Sequence, residues 1–364
     1  MPTEDAITML GIETSCDETA AAVVRRHPGG RAEVLSSVVA SQTEAHRPFG
    51  GVVPEIAARA HVEIVDSITR QAMAEAGIGF DALSGVAATA GPGLIGGVMV
   101  GLSFGKALSL ARGLPLVAVN HLEGHALSAR LAADAPYPFL LLLVSGGHCQ
   151  LLVVEGVGAC RRLGTTIDDA AGEAFDKVAK VLGLGYPGGP ALEALAMKGD
   201  PDRFTLPRAL LGRKDCDFSF SGLKTAASRI AQAECHTDQD RADLACAVQN
   251  AIARQLSERA DRAMALYVHD HRHRLFVVAG GVAANKTVRR VLEDTAAARG
   301  FAFLAPPMEY CTDNAAMIAY AGAERLAAGM TSELGVAARP RWPLDEVSAL
   351  ADPTHKTGRK GAKA

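Results

Sequence analysis

The stretch ITMLGIETSCDETAAAVV, residues 7–24, decides the fold. Two apolar runs, Ile7–Ile12 and Ala20–Val24, flank a polar cluster from Glu13 to Thr19. Short apolar runs around such a turn predict a β-hairpin. The pattern returns at 139–155 as FLLLLVSGGHCQLLVVE, where Phe139–Val144 and Gln150–Glu155 flank Ser145-Gly146-Gly147-His148. Outward from the first hairpin lie a strand at Ser36–Ser41 and a helix over Ala57–Ala76, with Ile64, Ile68 and Ala72 at helical spacing. A strand at Gly85–Ala90, a helix from about Gly97 to Ala111 and a strand at Leu116–Val119 follow. Outward from the second lie helices over Thr166–Leu182 and Gln249–Tyr267, a strand at Leu275–Ala279 and a helix over Asn285–Arg299. A short strand at Ala302–Ala305 and a helix over Ala315–Ala328 close the series. The repeated order predicts a duplicated α/β architecture of two lobes.

A chain of 364 residues has room for two to three domains and needs no covalent staple to fold. The net charge of -3 excludes a highly basic nucleic-acid coat but allows a local basic groove. Lys224, Lys286, Arg289 and Arg290 are candidates for such a groove. Seven cysteines without a CxxC pair argue against a disulfide framework or a zinc knuckle. No apolar run reaches the ~20 residues of a membrane span, and the acidic start MPTEDA does not read as a signal peptide. A soluble, cytoplasmic protein without a membrane partner is expected. The segment 339–364, with its prolines and its basic end at Lys356, Arg359, Lys360 and Lys363, is expected to be a flexible tail.

Several segments carry candidate chemistry. His121 and His125, spaced i and i+4 in HLEGH, share one helix face and suit a divalent metal; spacing alone equally allows two core histidines. Glu123 is misplaced for HExxH hydrolysis, since Leu122 stands where that motif has its glutamate. Asp313, in YCTDN, is the best third ligand from elsewhere; capping the last helix would also justify it. The turn at 13–19 offers hydroxyls, backbone N–H groups and the carboxylates Asp17 and Glu18. Ser145-Gly146-Gly147 and Gly280-Gly281 are strand-to-turn glycine pairs that can expose bare backbone donors to a phosphate, and Asn285 opens the following helix. Asp176 can accept from a ribose, or pair with Lys180 at i+4, and Gly188 and Gly189 admit a flat ligand. The loop FSFSGLKT, 218–225, is a candidate gate or nucleic-acid contact, while HDHRHR at 269–274 reads as a solvated helix end.

Taken in order, SCDET (15–19), HLEGH (121–125), VSGGH (144–148), GEAFDK (172–177), YPGGP (186–190), FSFSGLKT (218–225), GGVAAN (280–285) and YCTDNAAMIA (310–319) resemble the bacterial tRNA threonylcarbamoyladenosine biosynthesis transferase family. The resemblance spans residues 7–343. It implies an actin/Hsp70/sugar-kinase-like α/β fold of two ribonuclease-H-like lobes with a nucleotide cleft between them. The lobes are expected at 6–120, completed by a helix at about 315–330, and at 121–314. The implied reaction moves a threonylcarbamoyl group from threonylcarbamoyl-AMP to N6 of the adenosine 3′ of the anticodon, in tRNAs reading codons that start with A, with AMP leaving. It implies His121, His125 and Asp313 as metal ligands, for iron first and zinc second. Leu143, Val144, Ser145, Gly146, Gly147, Asp176, Gly189 and Asn285 are implied substrate contacts, and Asp17 and Glu18 the acidic residues near the phosphates. The implied partners are tRNA, a degenerate paralogue of the same fold and a small P-loop ATPase. Three readings compete: a small-molecule kinase of the same superfold, a metallopeptidase, and an inactive partner-binding paralogue. The kept histidines and glycine pairs argue against the last, and the His–Asp set against the first.

Overall fold

The computed structural model describes residues 5–346. The chain begins with β1 (Ile7–Glu13), β2 (Glu18–Arg26), β3 (Ala32–Ser41), α1 (Thr43–His46), α2 (Pro54–Ala76), β4 (Gly85–Gly91), α3 (Ile95–Arg112) and β5 (Leu116–Asn120). After α4 (His121–Ala132) come β6 (Phe139–Val144), β7 (Cys149–Gly156), β8 (Ala159–Thr165), α5 (Ala171–Val181), α6 (Gly188–Ala196), α7 (Ser221–Glu234) and α8 (Asp238–Asp270). The remaining elements are β9 (Leu275–Ala279), α9 (Lys286–Ala298), β10 (Ala302–Leu304), α10 (Met308–Cys311) and α11 (Ala315–Ala327).

The strands form two five-stranded sheets ordered β3-β2-β1-β4-β5 and β10-β9-β6-β7-β8. Read from opposite ends, the two orders are the same. In each, an antiparallel meander is followed by two parallel strands on the far side of the first strand. The duplication expected from the two hairpins is therefore present strand by strand.

Alternation along β1 shows how the first sheet is covered. Ile7 and Met9 face a cluster built on α11, whereas Leu10 and Ile12 face clusters that include Met73 of α2 and Leu102 of α3. Gly11 shares the α11 face. A Cβ there would lie 2.4 Å from the Ala315 carbonyl oxygen and 2.8 Å from the Ala319 Cβ, so β1 and α11 touch backbone to backbone. In the second sheet, Leu140, Leu142 and Val144 face α5 and α8, and Phe139, Leu141 and Leu143 face α4. All seven cysteines are free thiols, and no described helix is long and apolar enough to cross a membrane.

The structure departs from the expected elements in several places, the unexpected helices α6 and α7 among them, and four are instructive. β8 went unread because its run is broken by Arg161 and Arg162; as an edge strand it needs no continuous apolar pattern. The helix expected from Thr166 starts at Ala171, because Thr166 bridges to Phe218 and Asp168 binds the 219–221 backbone and hydroxyls. α8 begins eleven residues before the expected Gln249, at a Thr237/Asp240 capping box. Finally, the segment from 339 is not a tail from its first residue. Arg339 N donates to the Ala90 carbonyl at 2.7 Å, Asn120 Nδ2 to the Trp342 carbonyl at 3.0 Å, and Asp345 pairs with Arg162 at 3.3 Å. Residues 347–364, with the basic end, lie outside the described residues.

Because Gly11 sits against the α11 backbone, Gly11→Ala should destabilise the protein by about 1–3 kcal/mol, the usual cost of overpacking a tight core. Urea unfolding followed by circular dichroism reads this directly; an unchanged midpoint would contradict the backbone contact.

Candidate active site

Three elements from distant parts of the chain supply the centre. α4 starts on His121 because Asn120 caps it, its Oδ1 accepting from Leu122 N at 2.9 Å. His121 and His125 then stand one turn apart, ring centroids 4.7 Å apart and nearly perpendicular. Asp313 precedes α11. The cap of that helix is Asn314, whose Oδ1 accepts from Met317 N at 2.9 Å, so Asp313 is not engaged as a cap. Its Oδ1 lies 3.0 Å from His125 Nε2 and 3.5 Å from His121 Nε2. One donor atom from each residue falls within 4.8 Å of the others. Two imidazoles and a carboxylate, all turned inward, form a donor set that could hold a transition metal ion with positions left open. Among the described residues this is the one such group, and His269, His271 and His273 do not form another.

Glu13, at the end of β1, was not singled out from the sequence. Its Oε2 lies 2.8 Å from His121 Nδ1 and accepts from Thr89 Oγ1 at 2.7 Å, while Oε1 accepts from Ser15 N at 2.6 Å. This carboxylate holds the ring nitrogen that faces away from Asp313, so Nε2 is the one turned to the donor set. Burial opposes charge on His121, but Asp313 and Glu13 outweigh it and hold its imidazolium well above the ordinary range. Burial also opposes ionisation of Asp313 and of Glu13, and the histidine contacts win at both, keeping them ionised.

Asp17 and Glu18 follow on the β1–β2 turn. Burial first, then the charges of Asp313 and Asp17, push the Glu18 carboxyl up to about 9. Across the gap, burial raises Asp176, against the pull of the Gly188 and Gly189 N–H groups, and Glu173 and Asp17 add to the rise. Burial and then Asp17 and Asp176 raise the Tyr186 phenol. Asp17 therefore lies within electrostatic reach of Asp176 and Tyr186.

The second lobe contributes its parallel pair. Leu143 and Val144 end β6, and Leu143 pairs with Ala279 at the end of β9. The turns Ser145–His148 and Gly280–Gly281 thus emerge side by side. Ser145 N donates to the His148 carbonyl at 2.8 Å, and Gly172 N, opening α5, donates to the Ser145 carbonyl at 3.2 Å. Asp176 accepts from Gly188 N at 3.0 Å rather than pairing with Lys180. The glycines sort into two kinds. A Cβ at Gly172, Gly188 or Gly280 would lie 2.5–2.7 Å from protein atoms, so packing requires glycine there. At Gly146, Gly147, Gly189 and Gly281 a Cβ would meet nothing within 4 Å. No neighbouring protein atom requires those four to be bare, and their backbone is open to a ligand.

Other candidates fall elsewhere. Asn285 caps α9 through Oδ1 to Val288 N at 2.9 Å, and its amide nitrogen donates to Gln249 Oε1 at 2.8 Å, so both ends of its side chain are already engaged. The 218–225 segment is not a free loop: Phe218 and Phe220 are fully buried with rings 6.0 Å apart, Ser219 and Ser221 both donate to Asp168, and α7 starts at Ser221. Glu123 is buried against Gly158 N and Arg325, each at 2.7 Å, which removes it from any hydrolytic role at the donor set. Lys224, Lys286 and Arg290 are exposed, but Arg289 turns inward to the Ala283 carbonyl.

Known proteins resemble this chain along most of its length. The model of the tRNA N6-adenosine threonylcarbamoyltransferase family matches residues 33–320. A protein of that name from Caulobacter vibrioides is 70% identical over all of this chain and 99% of its own. One from Maricaulis maris is 60% identical over 99% of this chain and 97% of its own, and one from Brucella canis 57% over 98% and 99%. Among solved structures, T. kodakarensis HypF superposes with a TM-score of 0.62 at 15% identity, over 92% of this chain and 49% of that one. Full-length HypF in a phosphate- and nucleotide-bound form gives 0.56 at 12%, over 87% and 46%. These likenesses concern the fold alone, the actin/Hsp70/sugar-kinase-like arrangement of two α/β lobes. With relatives this similar along its whole length, the chain belongs to the tRNA N6-adenosine threonylcarbamoyltransferase family.

Proposed function

We propose that the protein transfers the threonylcarbamoyl group of threonylcarbamoyl-AMP to N6 of the adenosine 3′ of the anticodon, in tRNAs reading codons that start with A. The adenine amine forms a bond to the carbamoyl carbon, the bond from that carbon to the phosphate oxygen breaks, and AMP leaves while the amine loses a proton. The observation that carries the reading is the pairing of a buried His–His–Asp donor set with glycine turns whose backbone is open to a ligand. Full-length HypF, which shares the fold, was solved in a phosphate- and nucleotide-bound form, in keeping with a nucleotide ligand here.

In this reading the N–H groups of Gly146, Gly147 and Gly281 meet the phosphate of the leaving AMP and stabilise its growing charge. Leu143 and Val144 set the start of that turn, Ser145 closes it, and Asp176 with Gly189 receives the ribose. Asn285 shapes the floor through Gln249. Asp17 and Glu18 stand where the amine proton must go. A divalent metal held by His121, His125 and Asp313, Fe2+ first and Zn2+ second, would supply Lewis acidity toward the phosphate or carbamoyl oxygen. The lobes 6–120 with 315–330, and 121–314, are the units that close on substrate. The reaction is placed in the cytoplasm, with a degenerate paralogue of this fold and a small P-loop ATPase as partners.

Three outcomes test this. With those partners, ATP, threonine, bicarbonate and unmodified tRNA, nucleoside mass spectrometry should detect threonylcarbamoyladenosine with the wild-type chain, and His121→Ala should lower the yield at least about a hundredfold. No product from a mixture in which another family member works would sink the reading. Gly146→Ala should leave stability within about 0.5 kcal/mol, since its methyl meets no protein atom. It should nevertheless raise KM for the adenylate about tenfold, the scale of one lost charge-assisted hydrogen bond; an unchanged KM would remove the turn from the phosphate site. Finally, Glu13→Ala should weaken Fe2+ and Zn2+ binding, measured by chelator competition, by about 10–100-fold. Equal affinity in wild type and variant would show that Glu13 does not orient His121 for a metal.

A further inference from the structure

Two buried histidines lie outside the donor set. His46 and His61 are both fully buried, and Gln42 joins them in a single file of hydrogen bonds. At one end Val53 N, which can only donate, lies 3.3 Å from His46 Nδ1. His46 Nε2 therefore carries the proton and donates to Gln42 Oε1 at 3.2 Å. Thr19 Oγ1, at 2.7 Å, and the Gln42 amide, at 3.2 Å, share the one lone pair of His61 Nδ1, and the second amide hydrogen of Gln42 reaches the Ala57 carbonyl at 3.4 Å. With Nδ1 accepting, His61 Nε2 donates to the Cys16 carbonyl at 3.1 Å. That carbonyl can only accept, so the two ends demand the same direction and no member can be reversed alone. Burial holds His61 below the ordinary imidazole range.

The file joins two functional regions. Cys16 is followed by Asp17 and Glu18, and Gln42 also holds the Asp17 carbonyl through its backbone N–H at 3.0 Å. At the other end His46 opens the loop 47–53. Phe49 on that loop is exposed, and a Cβ at Gly50 would lie 3.7 Å from Lys180 Nζ of the opposite lobe.

We propose that His46, Gln42 and His61 are positioning residues for the transfer reaction: a one-way hydrogen-bond relay that sets the acidic turn against the cleft and ties it to the 47–53 loop at the mouth of the second lobe. This rests on the reading of Asp17 and Glu18 as residues of the transfer step.

Long-range proton–nitrogen NMR of the histidine-labelled full chain tests the relay without any activity. Both His46 and His61 should be neutral and protonated on Nε2 at pH 7. An Nδ1–H tautomer or a charged ring at either position overturns the relay. In the reconstituted assay, His61→Leu, which removes the hydrogen bonds to Thr19, Gln42 and the Cys16 carbonyl, should lower kcat by about 10–100-fold, the scale of a small misplacement of reacting groups. KM for tRNA and for the adenylate should stay near wild type. His61→Gln, which keeps an acceptor and a donor, should recover most of the loss. Wild-type kcat in His61→Leu, or an equal loss in the folded glutamine variant, refutes the positioning role. A wild-type chain that makes no product would instead refute the transfer reading, while the tautomers still decide the relay.

Discussion

The arrangement depends on burying one short helix on every side. Ten of the twelve residues of α4 are buried. Leu122, Ala126 and Ala129 pack under the second sheet, while Leu127 and Leu131 pack into the cluster that α11 forms on the first. A helix clamped in this way cannot slide or rotate without opening both cores. Its first residue is His121, and its second turn presents His125. A Cβ at Gly124 would lie 2.9 Å from Ile318 Cδ1, so α4 and α11 approach closely. Asp313 immediately precedes α11, and Glu13 ends the strand whose Gly11 touches that helix. The His–Asp–Glu geometry is thus a consequence of how β1, α4 and α11 pack.

The same packing concentrates charge. Glu13 is 1% exposed, yet it has three hydrogen-bond partners, and Asp313 is shared by two imidazoles. Breaking a buried ion pair by removing one member commonly costs 3–5 kcal/mol, because it strands the other charge. Glu13, at the end of the central strand β1, and Asp313 are therefore tolerated here only in the company of His121 and His125. Stability and the donor set draw on the same contacts. The glycine turns of the second lobe show the contrasting case. Gly172 and Gly280 are fixed by close protein contacts, while Gly146 and Gly147 have open space where a side chain would go.

Much of this was legible in the residues because local pattern and tertiary role coincide. The two hairpins read correctly since each apolar run is a central strand buried on both faces. His121 and His125 were legible because i,i+4 spacing brings them to one face whatever surrounds the helix. Where tertiary contacts decide, the reading ran short. Glu13 looked like one more polar turn residue, and its partner His121 is 108 positions away. Asp313 and Asn314 are both natural caps, and only the fold assigns capping to the second. Phe218 and Phe220 looked like exposed aromatics of a polar loop because nothing nearby in sequence reveals that Asp168 draws the loop down by its serines. The segment 339–346 read as the start of a tail because its contacts, at Ala90, Asn120 and Arg162, are all remote.

The acidic turn shows why such remote contacts matter for chemistry. Its successive carbonyls are each taken by a different element: Ser15 by Leu94 N at the start of α3, Cys16 by His61 of α2, and Asp17 by Gln42 N before α1. Thr14 is pressed against α3, where a Cβ at Gly97 would lie 2.3 Å from its carbonyl oxygen. A turn held at three successive carbonyls has little freedom left in its backbone, so its side chains inherit fixed origins. For transfer to an adenine amine, a weak nucleophile, rate comes chiefly from holding the reacting groups in place rather than from a strong base. A rigid turn suits that demand better than a mobile loop would.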